Sequence, residues 1–533
     1  MSTGQKYMNI SKPNPKLRWW HNNFGYIVYV RSFKDTSGDG FGDLTGVLEE
    51  LDYLKWLGID SIWITPFYPT PDFDNGYDII DYYQIDERFG DFAALELLIE
   101  EAHKRNIKII CDIVPNHTSH KHEWFQQALA DPTSKYRDYY MFRDPKPDGG
   151  LPNNWLSHFG GPAWTFDEKS GQYYLHLFLK EQPDLNWRNP AVQNEFKEIV
   201  EFWVQKGVDG FRIDVSHLCY KDEKLRDQPW FAEEDELEKA NVRELFELMD
   251  QKYALCQAET PSIFKEWKNI AHSINDNFLL FGEWGETNLL PAKDYVADGC
   301  LDMLLYTQPH QIDWDFKKVL SLLEESSNGF DQKIIWTLDT TEHDRSVTRL
   351  GSQRRAKCLQ TLFAFLPGFP HIYMGQELGL KSSVIAKEDV KDCISLNDMA
   401  NFEIGRDKVR THYPHNMDGK WNGFSESKNI WLNSETKKEF ETKEHQREDP
   451  KSYMHFMRRL IEARKSLKYT GNEQIEVKIL SDDVLEVGLG GVILVCNMSG
   501  DDLKLEGKKD LVFSSGDDLH SIGGMSTSVF IIK

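Results

Sequence analysis

Eight short apolar runs mark the first two-thirds of the chain, at residues 25–33, 59–67, 107–117, 208–217, 277–284, 300–306, 333–340 and 369–377. Each has the length and the Ile, Val, Phe and Tyr content of a buried strand. Between them, stretches such as 44–58 and 92–106 repeat apolar residues every three or four positions, the period of a helix with one buried face. Strands alternating with helices predict a parallel sheet joined by crossover helices, and eight such units predict an α/β fold, a closed (β/α)8 TIM barrel. A doubly wound open sheet is the competing architecture. It usually brings a glycine-rich phosphate loop after the first strand, and the sequence has none there.

Two departures from this rhythm set the domain plan. After the third run, residues 118–187 form a connection far longer than an ordinary loop, which predicts an inserted domain. After a helical stretch at 453–467 the pattern changes to short alternating strands with Gly and Asp turns. The expected organisation is a barrel over 1–117 and 188–467, an insertion over 118–187, and a C-terminal antiparallel β domain, read as a sandwich, over 468–533.

Charge narrows the partners. With 62 basic and 86 acidic residues the formal net charge is −24, which argues against nucleic acid or an anionic membrane surface and favours a small neutral substrate. The first twenty residues lack the apolar core of a signal peptide and no run is long enough to span a bilayer, so a cytoplasmic monomer or homodimer is expected. The seven cysteines are scattered without CxxC pairs and read as buried free thiols. Trp19, Trp20, Trp155, Trp164 and Trp187 stand in polar, Gly- and Pro-rich sequence and are candidates for stacking on sugar rings, with core packing as the alternative. The acidic stretch 231–240 reads as a solvated face or lid.

In a barrel of this kind functional groups project from the C-terminal strand ends. The third run ends in Asp112, Asn116 and His117, the fourth carries Arg212, Asp214 and His217, the fifth ends at Glu283, and the seventh ends in Thr340, Thr341, Glu342, His343 and Asp344. Singly, each carboxylate also suits a helix cap or a salt bridge; together on one rim they suit glycosidic chemistry. Retention needs one carboxylate to attack the anomeric carbon and a second, protonated one about 5 Å away. Asp214 and Glu283, on neighbouring strand ends, are the candidates for that pair. Arg212, two positions before Asp214 on the same strand face, is expected to lower its pKa by about one to three units, and Trp284 gives Glu283 an apolar neighbour.

The strings RSFKDTSGDGFGDLTG, NGYDIIDY, DIVPNHTS, QPDLNW, GFRIDVSH, GEWG and YMGQELGL, in this order, resemble glycoside hydrolase family 13, the α-amylase superfamily, in its oligo-1,6-glucosidase and α-glucosidase branch. The resemblance spans nearly the whole chain. It implies the barrel, a domain B after the third strand and a C-terminal β-sandwich, with Asp214 as nucleophile, Arg212 orienting it and Glu283 as acid/base; Glu286 is the nearby rival. It also implies that Asp74, Tyr77 and His117 hold the terminal glucose and that Arg410 pairs with Asp74 to close the pocket for exo-action. Asp35, Ser37, Asp39, Phe41 and Asp43 resemble the family's loop for a structural Ca2+ or Mg2+, with Ser37 where Asn is usual; no cofactor is implied for the chemistry. Val215 accompanies α-1,6 activity in the resembled branch.

The seventh strand departs from the family's Asn-His-Asp. An alignment without gaps places Thr340, Thr341 and Glu342 there, making Glu342 the third carboxylate; a two-residue slide would instead place Glu342, His343 and Asp344. The ungapped alignment is preferred. The expected function is therefore a retaining α-glucosidase or transglucosylase acting on short α-glucosides. A sucrose- or trehalose-type glucosyl transferase or isomerase, and a non-catalytic relative, are the alternatives.

Overall fold

The computed structural model describes residues 17–240, 242–397, 399–504, 510–516 and 521–531. All eight apolar runs contain a barrel strand, shorter than the run itself: Gly25–Val28 (β1), Ser61–Ile64 (β2), Lys108–Ile113 (β3), Gly210–Ile213 (β4), Leu279–Trp284 (β5), Met303–Tyr306 (β6), Ile334–Trp336 (β7) and Phe369–Tyr373 (β8). Every neighbouring pair is parallel, and β1 closes the barrel on β8 with Gly25 opposite His371. Gly25 is obligatory there, because a Cβ would lie 2.2 Å from His371 Nε2. The strands are buried on both faces, as a parallel sheet wrapped in helices requires.

Polar residues start the crossover helices. Asp91 accepts from Ala94 N (2.9 Å) to begin Phe92–Lys104, and Asn189 caps Pro190–Gln205, whose first residue has no N–H to satisfy. The expected helix over 44–58 is two, Leu44–Glu49 and Leu51–Leu57. Glu50 interrupts it: the carboxylate is buried and drawn to Lys443 Nζ (2.5 Å), Lys34 Nζ (3.1 Å) and His415 Nδ1 (3.3 Å), a tertiary demand that overrides local helix periodicity.

Within 118–187 three short strands, Phe142–Arg143, Gln172–Leu175 and Trp164–Asp167, form one antiparallel sheet. Its apolar side packs Trp155, Trp164, Leu175 and Leu177 against Leu218 and Leu255 beyond β4, so the insertion leans over the C-terminal mouth of the barrel. The chain ends in a five-stranded antiparallel sheet ordered Glu476–Ser481, Val484–Gly488, Val492–Asn497, Ser526–Ile531, Asp510–Ser514, with a separate pair of Leu503–Lys504 and Ser521–Ile522. It is anchored to the barrel helix Gln353–Phe365, where Thr527 Oγ1 donates to the Cys358 carbonyl (2.9 Å). All seven cysteines are free thiols. No helix among the described residues is long and apolar enough to cross a membrane.

Candidate active site

Strand register assembles the first cluster. Asp112 on β3 lies opposite Arg212 on β4, and Ile213 opposite Gly282 on β5, which leaves Asp214 and Glu283 adjacent at the mouth. Arg212 is the hub: Nη1 binds Asp112 Oδ1 (2.9 Å) and Asp214 Oδ1 (2.6 Å), and Nη2 binds Glu283 Oε2 (3.0 Å). The guanidinium stacks over Trp63 and Tyr77, and the Tyr77 hydroxyl donates to Asp112 Oδ2 (3.2 Å). Val215 takes the left-handed backbone conformation (φ 35°), uncommon for a β-branched residue, and its N–H donates to Glu283 Oε2 (3.1 Å).

Three carboxylates share one cation, and the charge balance shows. Burial raises the Asp214 pKa well above the ordinary carboxylate range; Arg212 opposes this, but Glu283 and Asp112 add to it. The expected lowering by Arg212 is thus outweighed, because the guanidinium is divided among three anions in a dry site. Asp112 is likewise raised to about 6, by burial first. Burial and like charge thus both favour the neutral form of Asp112 and Asp214, and the two titrate as a coupled pair. Trp284 does not flank the Glu283 carboxylate: neighbouring strand residues face opposite ways, and Trp284 packs against Tyr295 and His217. Glu286 stands outside the cavity wall, with Oε1 3.7 Å from His217 Nε2.

The second cluster closes the far end. Asp74 pairs with Arg406, not with Arg410 as expected: Arg406 Nη2 lies 2.6 Å from Asp74 Oδ1 and 2.6 Å from Asp392 Oδ1, and Nη1 lies 3.3 Å from Glu342 Oε2. The turn Asp407–Val409 separates the two arginines and sends Arg410 behind the wall, where Nε donates to the Thr341 carbonyl (3.0 Å) and Nη2 meets Glu342 Oε1 (3.0 Å). Burial works against ionising Glu342, but Arg406 and Arg410 hold its carboxyl well below the usual range. Thr341 is buried behind Glu342, its Oγ1 donating to Glu342 Oε1 (3.1 Å). Asp344 faces elsewhere, tied to Lys408 Nζ (2.9 Å) and Ser382 Oγ (2.7 Å), and neither it nor His343 is among the described residues lining the cavity. The geometry therefore places Glu342, and not the pair His343 and Asp344, at the cavity. Arg406→Met is expected to strand two buried carboxylates and cost about 3–5 kcal/mol; Arg410→Met spares the Asp74 pair. Denaturant titration of both variants checks this, and a larger loss in Arg410→Met would contradict the pairing.

Between the clusters lies a cavity of ≈ 930 Å3 that Asp74, Tyr77, His117, Asp214, Glu283 and Glu342 all line. Its upper walls come from the insertion, through residues 157–165 and 176–181, and from the segment 394–406. Sequence reasoning missed Arg406, Asp392, Gln182, Phe159 and Phe178. GRDKVR offers two arginines four apart and no local pattern says which reaches Asp74, whereas Gln182 sat unused in QPDLNW. Of the five tryptophans only Trp164 lines the cavity; Trp20, Trp155 and Trp187 are core.

In the loop 35–43 Ser37 Oγ lies 3.2 Å from Asp35 Oδ1. Asp35, Asp39 and Asp43 are not brought within 4.8 Å of one another. Asp35 accepts from Gly38 N (2.7 Å), Gly40 N (2.8 Å) and Ser425 Oγ (2.5 Å), while Asp43 accepts from Thr36 N (2.7 Å) and caps the helix at Gly46 N (2.7 Å). Asp39 accepts from Phe41 N (2.8 Å). In this arrangement the three carboxylates accept from N–H and O–H donors of the loop and its neighbours.

A closed parallel barrel with carboxylates at its C-terminal mouth, an insertion after β3 and a terminal β domain define an enzyme of the glycosidase barrel class. Residues 27–471 match the family described as alpha amylase, catalytic domain, and the chain belongs to that family as a glycoside hydrolase. It is 35% identical over 456 residues to a trehalose-6-phosphate hydrolase of Bacillus subtilis, covering 78% of this chain and 77% of the relative. It is 34% identical over 488 residues to an oligo-1,6-glucosidase of Heyndrickxia coagulans, covering 84% and 85%. Among solved structures, an α-glucosyl transfer enzyme superimposes with a TM-score of 0.89 at 30% identity, covering 97% of this chain and 100% of that one.

Proposed function

We propose that the protein is a retaining, exo-acting α-glucosidase with transglucosylation capacity, which takes the non-reducing glucose of short neutral α-glucosides. One observation carries the reading: Asp214 and Glu283 are held by neighbouring nitrogens of the single Arg212 guanidinium. That closeness supports the short carboxyl separation of retention, about 5–5.5 Å, over the wider gap of inversion. Asp214 attacks the anomeric carbon as Glu283 gives a proton to the glycosidic oxygen. The glycosidic C–O bond breaks and a covalent glucosyl ester forms. Water, or the hydroxyl of an acceptor sugar, then yields a proton to Glu283 and displaces Asp214. Glu342, kept ionised by two arginines, stabilises the positive charge developing on the sugar. The Asp74–Arg406 bridge makes the far end blind, which supports exo-action. No cofactor takes part. The free thiols and negative charge support a cytoplasmic setting.

The cavity's charges favour a neutral substrate over a phosphorylated one. Arg212 and Arg406 are committed to carboxylates, and Lys180 lies 3.9 Å from Glu181. Burial pushes the wall histidines His158 and His176 down to about 3 and about 4, so neither carries charge at neutral pH. Isomaltose is expected to be turned over at least about tenfold more efficiently than trehalose 6-phosphate, and better than maltose, given Val215 on the wall. Initial-rate product analysis by NMR, with the first-formed anomer recorded, tests both points. An inverted first product would sink the retaining mechanism, and a preference for the phosphorylated sugar would sink the neutral-substrate reading.

A further inference from the structure

Beneath His117 lies a buried polar chain that the reaction above does not use. Lys221, fully enclosed, has its ammonium 2.7 Å from Asp184 Oδ2 and donates to Asn116 Oδ1 at 2.6 Å. An ammonium only donates, so the Asn116 atom facing it is the oxygen. The amide nitrogen is turned the other way, 3.2 Å from Asp184 Oδ1 and 3.1 Å from His117 Nδ1. Its two hydrogens fill those two acceptors. Nδ1 is thereby an acceptor, and a neutral imidazole must then carry its proton on Nε2.

His117 is neutral: burial, helped by Lys221, lowers its pKa to about 4 against the pull of Asp184 and the Tyr77 carbonyl. Nε2 lies 3.1 Å from the Tyr77 carbonyl and 3.1 Å from Gln182 Nε2. The Gln182 amide is fixed as well, since its Oε1 accepts from Leu179 N (3.1 Å) and its Nε2 donates to Asp74 Oδ2 (3.0 Å). The one Nε2–H of His117 is accepted by the Tyr77 carbonyl, at a point where His117 lines the cavity and a sugar hydroxyl can share that proton.

We infer that Lys221, acting through Asn116, is a positioning residue that locks His117 in its Nε2–H tautomer, so that the proton resting on the Tyr77 carbonyl is also offered to one hydroxyl oxygen of the bound glucose. The inference rests on the reading of this cavity as a glucose site. A cation buried beside a carboxylate is otherwise weak evidence of stabilisation, because an apolar pair of similar volume often serves as well. A role in fixing a proton gives Lys221 a function that an apolar pair cannot supply.

The test is the position of one proton. In 15N-histidine-labelled protein, long-range 1H–15N correlation, assigned by comparison with His117→Gln, is expected to show His117 protonated on Nε2 alone. The double variant Lys221→Met/Asp184→Asn removes the cation and its counter-carboxylate together, so no buried charge is stranded. It frees the Asn116 amide to turn: the Nδ1–H tautomer should appear and KM should rise roughly three- to tenfold, the worth of one neutral hydrogen bond, with kcat within about twofold. A purely structural pair would lower thermal stability and leave the tautomer and KM alone. A wild-type proton on Nδ1 overturns the inference without any variant, as does an unchanged tautomer, or a changed tautomer with unchanged KM, in the double variant. If His117→Gln itself leaves KM unaltered, the glucose-site reading of His117 fails as well, which separates the two.

Discussion

Asp214→Asn is expected to lower kcat by at least about four orders of magnitude on any glucoside the enzyme turns over, the scale on which loss of a nucleophile acts. The amide fills the same volume and its oxygen still accepts from Arg212, but it cannot form the glucosyl ester. The fold should not suffer. Asp214 shares one cation with Asp112 and Glu283, so replacing one of three crowded carboxylates relieves repulsion, and the melting temperature should be equal to or above that of the wild type. A variant that is inactive because it has unfolded, or one that keeps near-wild-type rates, would each refute the assignment. Calorimetry with single-turnover kinetics distinguishes these outcomes.

Glu342→Gln should lower kcat by roughly two to three orders of magnitude, with Asp344→Asn within about twofold of wild type. A carboxylate here acts by stabilising the cationic transition state more than the neutral substrate, and two arginines keep Glu342 charged for that purpose. Losing its charge also leaves Arg406 and Arg410 with less counter-charge, so binding should weaken as well. Asp344 has no such consequence, since Lys408 and Ser382 hold it away from the cavity. The reverse ranking would mean that the seventh strand end turns a different pair of residues to the sugar.

The barrel was legible because both signals it needs are local. Runs such as YIV (26–28) and IWI (62–64) are apolar throughout, as strands covered on both faces tend to be, and the intervening stretches carry a clear helical period. Strand ends were overshot because burial continues past the last ladder bond: Arg31 and Thr337 are as enclosed as the strands before them, yet Arg31 lies in the 3-10 helix Val30–Ser32 and Thr337 in no regular element. The Asp214–Arg212–Glu283 set was legible for the same reason, as side chains two apart on a strand share a face and register supplies the neighbour. The far end of the pocket was not. Whether Arg406 or Arg410 meets Asp74 depends on a single 3-10 turn, and whether Glu342 or Asp344 faces the cavity depends on which of two basic partners claims each. The first is decided by a contact across 332 residues and the second by contacts across 64 and 68, which no local pattern encodes.

The Asp74–Arg406 bridge joins positions 332 residues apart, and β1 completes the barrel only by meeting β8. A chain emerging from the ribosome therefore has its nucleophile and acid/base long before it has the far wall of its pocket. Sugar binding cannot guide the early stages of folding, and soluble glucoside should act as a chaperone only on chains that are already closed. Catalytic activity becomes a direct report of barrel closure, which makes glucoside turnover a convenient clock for the last step of folding in this protein.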